Sequence, residues 1–123
     1  LKESDVLSLH CPLTADNTNL IDQRELKLMK SSSILINTAR GKLINEKSLH
    51  EALINGEIAG AGLDVLSEEP PISGNILLDE RVPNLIVTPH TAWISKEARQ
   101  RLVEQVAGNI KGFLEGEKFN RVC

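Results

Sequence analysis

Ile34-Leu35-Ile36-Asn37-Thr38-Ala39-Arg40-Gly41 is the stretch whose reading decides the fold. Its opening three residues form an all-apolar run of the kind buried on both faces of a parallel sheet. The run ends abruptly in polar residues, and Gly41 gives the turn after it the conformational freedom a tight bend needs. In an open α/β sheet ligands sit in the crevice beyond the carboxyl ends of the strands, so Arg40 is delivered where a ligand would be met.

Three further apolar runs repeat the plan on either side. Val6–Leu9 leads into His10-Cys11-Pro12, residues 58–63 lead into Asp64 with Glu69-Pro70 beyond, and Leu85–Val87 leads into Thr88-Pro89-His90. Helix signals separate them. Asp22-Gln23-Arg24-Glu25, an acid three residues before a Glu, is the reciprocal cap pattern and predicts a helix ending near Lys30. Asn45 caps a second helix through Leu49, Leu53 and Ile54, which Gly56 stops. Ser95 begins the longest, with Ala98, Leu102, Val103, Val106, Ala107, Ile110, Phe113 and Leu114 at the spacing of one apolar face and Gly116 near its end. Ala59, Gly60, Ala61 and Gly62 would let a helix or a flat ligand come close to the third strand. Residues 65–84, with Pro70, Pro71, Gly74 and Pro83, form the one long loop, and its length marks it as functional. Strand and helix thus alternate, which predicts an α/β fold with about four parallel strands and right-handed crossovers.

The 123 residues suffice for one domain and its core. With 41% hydrophobic and 25% charged residues the composition is that of a folded chain, not a disordered one. A net charge of -3 offers no basic face to nucleic acid or an anionic membrane. No apolar run has the length of a membrane span and no signal peptide is evident, so the cytoplasm is the expected compartment. Cys11 and Cys123 fit no disulfide framework or metal-ligand spacing and read as reduced thiols. The chain begins at Leu1, its only methionine is Met29, and it lacks any Gly-x-Gly-x-x-Gly turn, which together read as a piece of a longer protein.

An arginine, a carboxylate and a histidine converging on one rim suit a small anionic substrate. A guanidinium fork grips a carboxylate, an imidazole moves a proton, and an acid beside the imidazole orients it. Each residue also has a plainer reading. Arg40 could be a surface cation, Asp64 the cap of a turn, and His90 a core or loop histidine. Glu68 reads as the solvated neighbour of Glu69, His50 as a surface residue, and Cys11 as a small apolar filler. Trp93 either lines a pocket or covers the start of the last helix.

The motifs taken in order resemble the D-isomer-specific 2-hydroxyacid dehydrogenases. His10-Cys11-Pro12-Leu13-Thr14 resembles the loop after that family's fourth cofactor-domain strand, and Asn37-Thr38-Ala39-Arg40-Gly41 its substrate-arginine motif. Gly62-Leu63-Asp64-Val65 with Glu68-Glu69-Pro70 resembles its acid motif, and Thr88-Pro89-His90 its histidine motif. Leu66-Ser67-Glu68-Glu69-Pro70-Pro71 with His90-Thr91-Ala92-Trp93 is most similar to the glycerate dehydrogenases, or hydroxypyruvate reductases. The resemblance implies the second half of a Rossmann-like, doubly wound sheet: residues 1–123 as a partial dinucleotide-binding domain, without the glycine-rich turn or the substrate domain.

It further implies hydride transfer between a nicotinamide cofactor, NAD with NADP not excluded, and a small 2-hydroxy or 2-oxo acid. Arg40 would bind the substrate carboxylate, His90 would carry the proton, and Glu69 would pair with His90 and hold its ring. Asp64 would lie near the nicotinamide carboxamide. His10, Cys11, Pro12, Thr38, Ala39, Arg40, His90 and Ala92 would complete the cofactor contacts, several through backbone, and Trp93 would join Arg40 and His90 around the substrate. The intact protein would be a homodimer. Other readings are a dehydrogenase for lactate or a bulkier acid, a corepressor-like binding protein on the same fold, and a fragment inactive by itself. The related formate dehydrogenases fit less well, because they pair a glutamine with the histidine where this chain has Glu69.

Overall fold

The computed structural model describes residues 1–118 and 120, so the thiol of Cys123 lies outside the described residues. Leu1–His90 and Thr91–Cys123 form two compact units. The first is a parallel sheet of β1 (Val6–Leu9), β2 (Ile34–Asn37), β3 (Gly60–Leu63) and β4 (Leu85–Val87), in the order β1-β2-β3-β4. Its register sets Leu9 beside Asn37, Asn37 beside Leu63, and Leu63 beside Val87. The last residues of all four strands therefore stand in one row, and every polar loop leaves from the same rim.

Between β1 and β2 runs α1 (Gln23–Leu26), and between β2 and β3 runs α2 (Glu46–Ile54). Asp22 caps α1 as read from the sequence: its carboxylate accepts from Gln23 N–H at 2.7 Å while Glu25 reaches back to Asp22 N–H at 3.3 Å. The helix is shorter than expected. After Leu26 the Leu28 and Met29 N–H groups bond three residues back, and Ser33 turns both its N–H and its hydroxyl onto the Lys30 carbonyl. These tighter and side-chain bonds compete with helix propagation, and the chain enters β2 instead. Asn45 caps α2 at Ser48 N–H. Gly56, at φ 66°, ends it with Gly56 N–H on the Leu53 carbonyl and Glu57 N–H on that of Ala52. That is the paired closure a left-handed glycine permits.

The core lies on one face of the sheet. Leu26, Leu35, Leu43 and Leu49 are fully buried there, with Leu53, Ile58 and Leu63 nearly so. On the sheet's other face Val6 is 58% exposed, Ile34 42% and Ile86 70%. Right-handed crossovers that advance steadily across a sheet put every connecting helix on the same side, and the order β1-β2-β3-β4 never reverses. Two smaller corrections concern β3, which begins at Gly60 rather than at Ile58, and the long loop, which holds a 3-10 turn at Ile76–Leu78. The turn buries Leu77 in the core, so the loop is anchored.

The second unit contains α3 (Lys96–Leu114), capped by the Ser95 hydroxyl on Ala98 N–H at 3.1 Å. Its apolar stripe is present as read from the sequence but stays exposed, with Leu102, Val103, Val106, Ile110, Phe113 and Leu114 each at least half accessible. Among the described residues no helix is long and apolar enough to cross a membrane.

Candidate functional site at the carboxyl rim

Hydrogen bonds continue the sheet ladder past the strand ends and so fix where the loops start. Asp64 N–H donates to the Asn37 carbonyl at 2.9 Å, Thr88 N–H to Leu63 at 2.8 Å, and His90 N–H to Asp64 at 2.9 Å. His90 itself takes φ 54°, in the left-handed region. A non-glycine residue is held there against a cost on the order of 1 kcal/mol, and such strain collects at functional sites. Here the two carbonyls of Asp64 and Thr88 that receive its N–H hold the turn.

The histidine ring is then placed by the long loop. His90 Nδ1 lies 2.7 Å from Glu69 Oε2, and both side chains are partly open to solvent. An ionised carboxylate only accepts, so Nδ1 carries the proton of this bond. Glu69 is anchored in turn: its Oε1 accepts Leu66 N–H at 2.7 Å. A cavity of about 530 Å³ opens at this pair, with Leu66, Pro70, Leu78 and Val87 among its walls. An apolar recess with a few convergent polar groups is the usual form of a small-molecule site.

Arg40 arrives on a turn built by Asn37, which sequence reasoning passed over. The Asn37 side chain is fully buried, accepts Ala39 N–H at 3.0 Å and donates to the Arg40 carbonyl at 2.9 Å. An Asn two residues before a bend is a known turn former, and that signal could have found it. The guanidinium is exposed and donates to the Ala39 carbonyl at 2.7 Å. Gly41 brings this turn against the acid loop, because a Cβ there would stand 2.0 Å from the Leu66 carbonyl carbon and 2.5 Å from Ser67 N. The arginine turn and the glutamate loop are thus in backbone contact.

Asp64 is buried and its Oδ1 accepts the Thr88 hydroxyl at 2.5 Å, tying the ends of β3 and β4 together. A capping role confined to its own turn is therefore too small a description. His10 is exposed, with Nε2 2.7 Å from the Ser8 hydroxyl. Cys11 is half-buried against the core, and the Pro12 carbonyl accepts from Asn17. Thr38 is exposed and Ala39 half-buried. Ala92 and Trp93 belong to the second unit, in a turn where Ile94 N–H bonds to the Thr91 carbonyl at 3.1 Å, and Trp93 is 53% exposed. Glu68 is exposed and His50 half-buried on α2.

Residues 1–92 match the model of the D-isomer specific 2-hydroxyacid dehydrogenase, NAD binding domain. The chain is 55% identical to a glycerate dehydrogenase of Methylorubrum extorquens over 122 residues, which is 99% of this chain and 39% of that protein. It is 45% identical to a glyoxylate reductase of Korarchaeum cryptofilum, covering 95% of this chain and 35% of that one. A D-lactate dehydrogenase from Lactobacillus jensenii, solved with NAD+, superimposes with a TM-score of 0.83 at 36% identity, over 100% of this chain and 40% of its own. The chain spans under two fifths of the length of these two curated relatives.

Proposed function

The chain belongs to the D-isomer-specific 2-hydroxyacid dehydrogenases, within their NAD-binding domain, and on that footing we propose that the protein carrying it reduces hydroxypyruvate or glyoxylate reversibly with NADH. The Glu69–His90 pair at 2.7 Å carries this reading. Arg40, on the neighbouring turn, binds the substrate carboxylate through its two-pronged guanidinium, a geometry lysine cannot match. His90 gives the proton on Nε2 to the 2-oxo oxygen in reduction and takes one from the hydroxyl in oxidation. Glu69 holds the ring so that Nε2 meets the substrate. Trp93 is assigned to the wall of the substrate pocket.

The rim residues fit the nicotinamide end of the cofactor. Buried Asp64 offers an acceptor for the carboxamide N–H, while the turns at His10-Cys11-Pro12 and Thr38-Ala39 bring backbone and small side chains to the same edge. Ala92, just after His90, is assigned to the same contact. When bound, the dinucleotide supplies or accepts the hydride. The chain carries no Gly-x-Gly-x-x-Gly turn, so the pyrophosphate is assigned to another part of the protein. Support for glycerate over lactate comes from the Leu66-Ser67-Glu68-Glu69-Pro70-Pro71 stretch and from the 55% identity to a glycerate dehydrogenase. Turnover of hydroxypyruvate, glyoxylate and pyruvate with NADH and with NADPH tests the proposal. Hydroxypyruvate or glyoxylate with NADH is expected to be preferred, and oxidation of neither cofactor by any of the three acids would overturn it.

A further inference from the structure

We propose that Glu46, the first residue of α2, is a positioning residue for the Glu69–His90 pair, acting through the loop that carries Glu69. The inference rests on the catalytic reading of His90 given above. Glu46 is half-buried and both its oxygens are used. Oε1 accepts Ser67 N–H at 2.7 Å, and Oε2 accepts the Ser67 hydroxyl at 2.6 Å and the Asn75 side-chain amide at 3.0 Å. One carboxylate therefore grips both limbs of the loop.

The grip passes directly to the histidine. Ser67 follows Leu66, whose N–H holds Glu69 Oε1, and Glu69 Oε2 holds His90 Nδ1. On its other side the Leu66–Ser67 peptide rests against Gly41, where no side chain intervenes. At the far limb, Asn75 cannot turn away freely, because its Oδ1 accepts N–H of the buried Leu77. The loop is fixed at three points and the glutamate projects from between them. Bonds to an ionised acceptor are about twice as strong as neutral ones, which suits a charged residue at this junction.

A glutamate in the first turn of a helix has an ordinary use, complementing the dipole of the helix. That use predicts lower thermal stability on replacement and no change at His90. The clamp predicts something else. Displacement of Glu69 by a fraction of an ångström loosens the ring, and misplacement on that scale costs about ten- to a hundredfold in turnover.

The test uses the full protein with its histidines labelled with 15N, the His90 signal being assigned by its loss in His90→Ala. In Glu46→Ala the Nδ1–H proton of His90, shifted downfield by the carboxylate, is expected to broaden or vanish. Under the same conditions kcat falls by about tenfold or more while KM for the 2-oxo acid moves by less than about threefold. Glu46→Gln keeps one acceptor for Ser67 N–H and is expected to recover part of the signal and of kcat. Ser67→Ala, which removes one bond of the clamp, gives a weaker loss and serves if Glu46→Ala fails to fold. An unchanged Nδ1–H signal in folded Glu46→Ala, or in Ser67→Ala should the former not fold, overturns the clamp. Full activity of His90→Ala would instead overturn the proposed function, with the proton signal still deciding the role of Glu46.

Discussion

Gly41 and Leu66 share a space that admits no side chain: a Cβ on Gly41 would come within 2.0 Å of the Leu66 carbonyl carbon and oxygen. The contact is backbone on backbone, so neither partner can rotate away. It joins the turn bearing Arg40 to the loop bearing Glu69. Gly41→Ala is therefore expected to destabilise the fold by about 1–3 kcal/mol, the usual cost of overpacking, and to lower turnover as well. Urea unfolding and steady-state kinetics check both, and a variant with parental stability would show that the two loops yield more readily than the geometry implies.

Arg40→Lys keeps the charge and loses the fork. The expected result is a rise in KM for the 2-oxo acid that exceeds any fall in kcat, with NADH affinity within about twofold of the parent. Parental KM in this variant would take Arg40 away from the substrate carboxylate.

The Asp64–Thr88 bond joins the ends of two strands at the rim. Thr88→Val removes the donor at nearly constant volume, and a loss of about 1–3 kcal/mol is expected in unfolding experiments. NADH binding should weaken in parallel, since Asp64 is the residue assigned to the carboxamide. Stability within about 0.5 kcal/mol of the parent would make that bond expendable.

Asp22 sets part of the acid response of the fold. The Ser48 hydroxyl at 2.6 Å, then the Gln23 N–H, hold its carboxyl below the ordinary 3.8. A carboxylate whose folded value is depressed stabilises the fold above its unfolded value and loses that contribution as the pH falls through the folded one. As the pH falls below about 4, Ser48→Ala should thus lose stability less steeply than the parent. Superimposable curves of stability against pH would show that this hydroxyl does not tune Asp22.

What the sequence made legible was local. Each strand is a short apolar run, and the caps at Asp22, Asn45 and Ser95 and the stop at Gly56 depend on neighbours within a few residues. The rim was readable because a parallel sheet with level strand ends turns four separate motifs into one edge. The unreadable parts are long-range. Glu46 meets residues 21 and 29 positions away, and nothing in the pattern of α2 marks its first residue as more than a helix-end acid. The length of α1 escaped for a different reason, since Ser33 competes for the Lys30 carbonyl from outside the periodic segment.

The central claim is that His90, held by Glu69, carries the proton, and the most direct test is kcat of His90→Ala in the full protein with hydroxypyruvate and NADH. The account predicts a fall of about two to four orders of magnitude, the range for loss of a positioned general acid, with NADH binding close to that of the parent. Turnover within about threefold of the parent would contradict it.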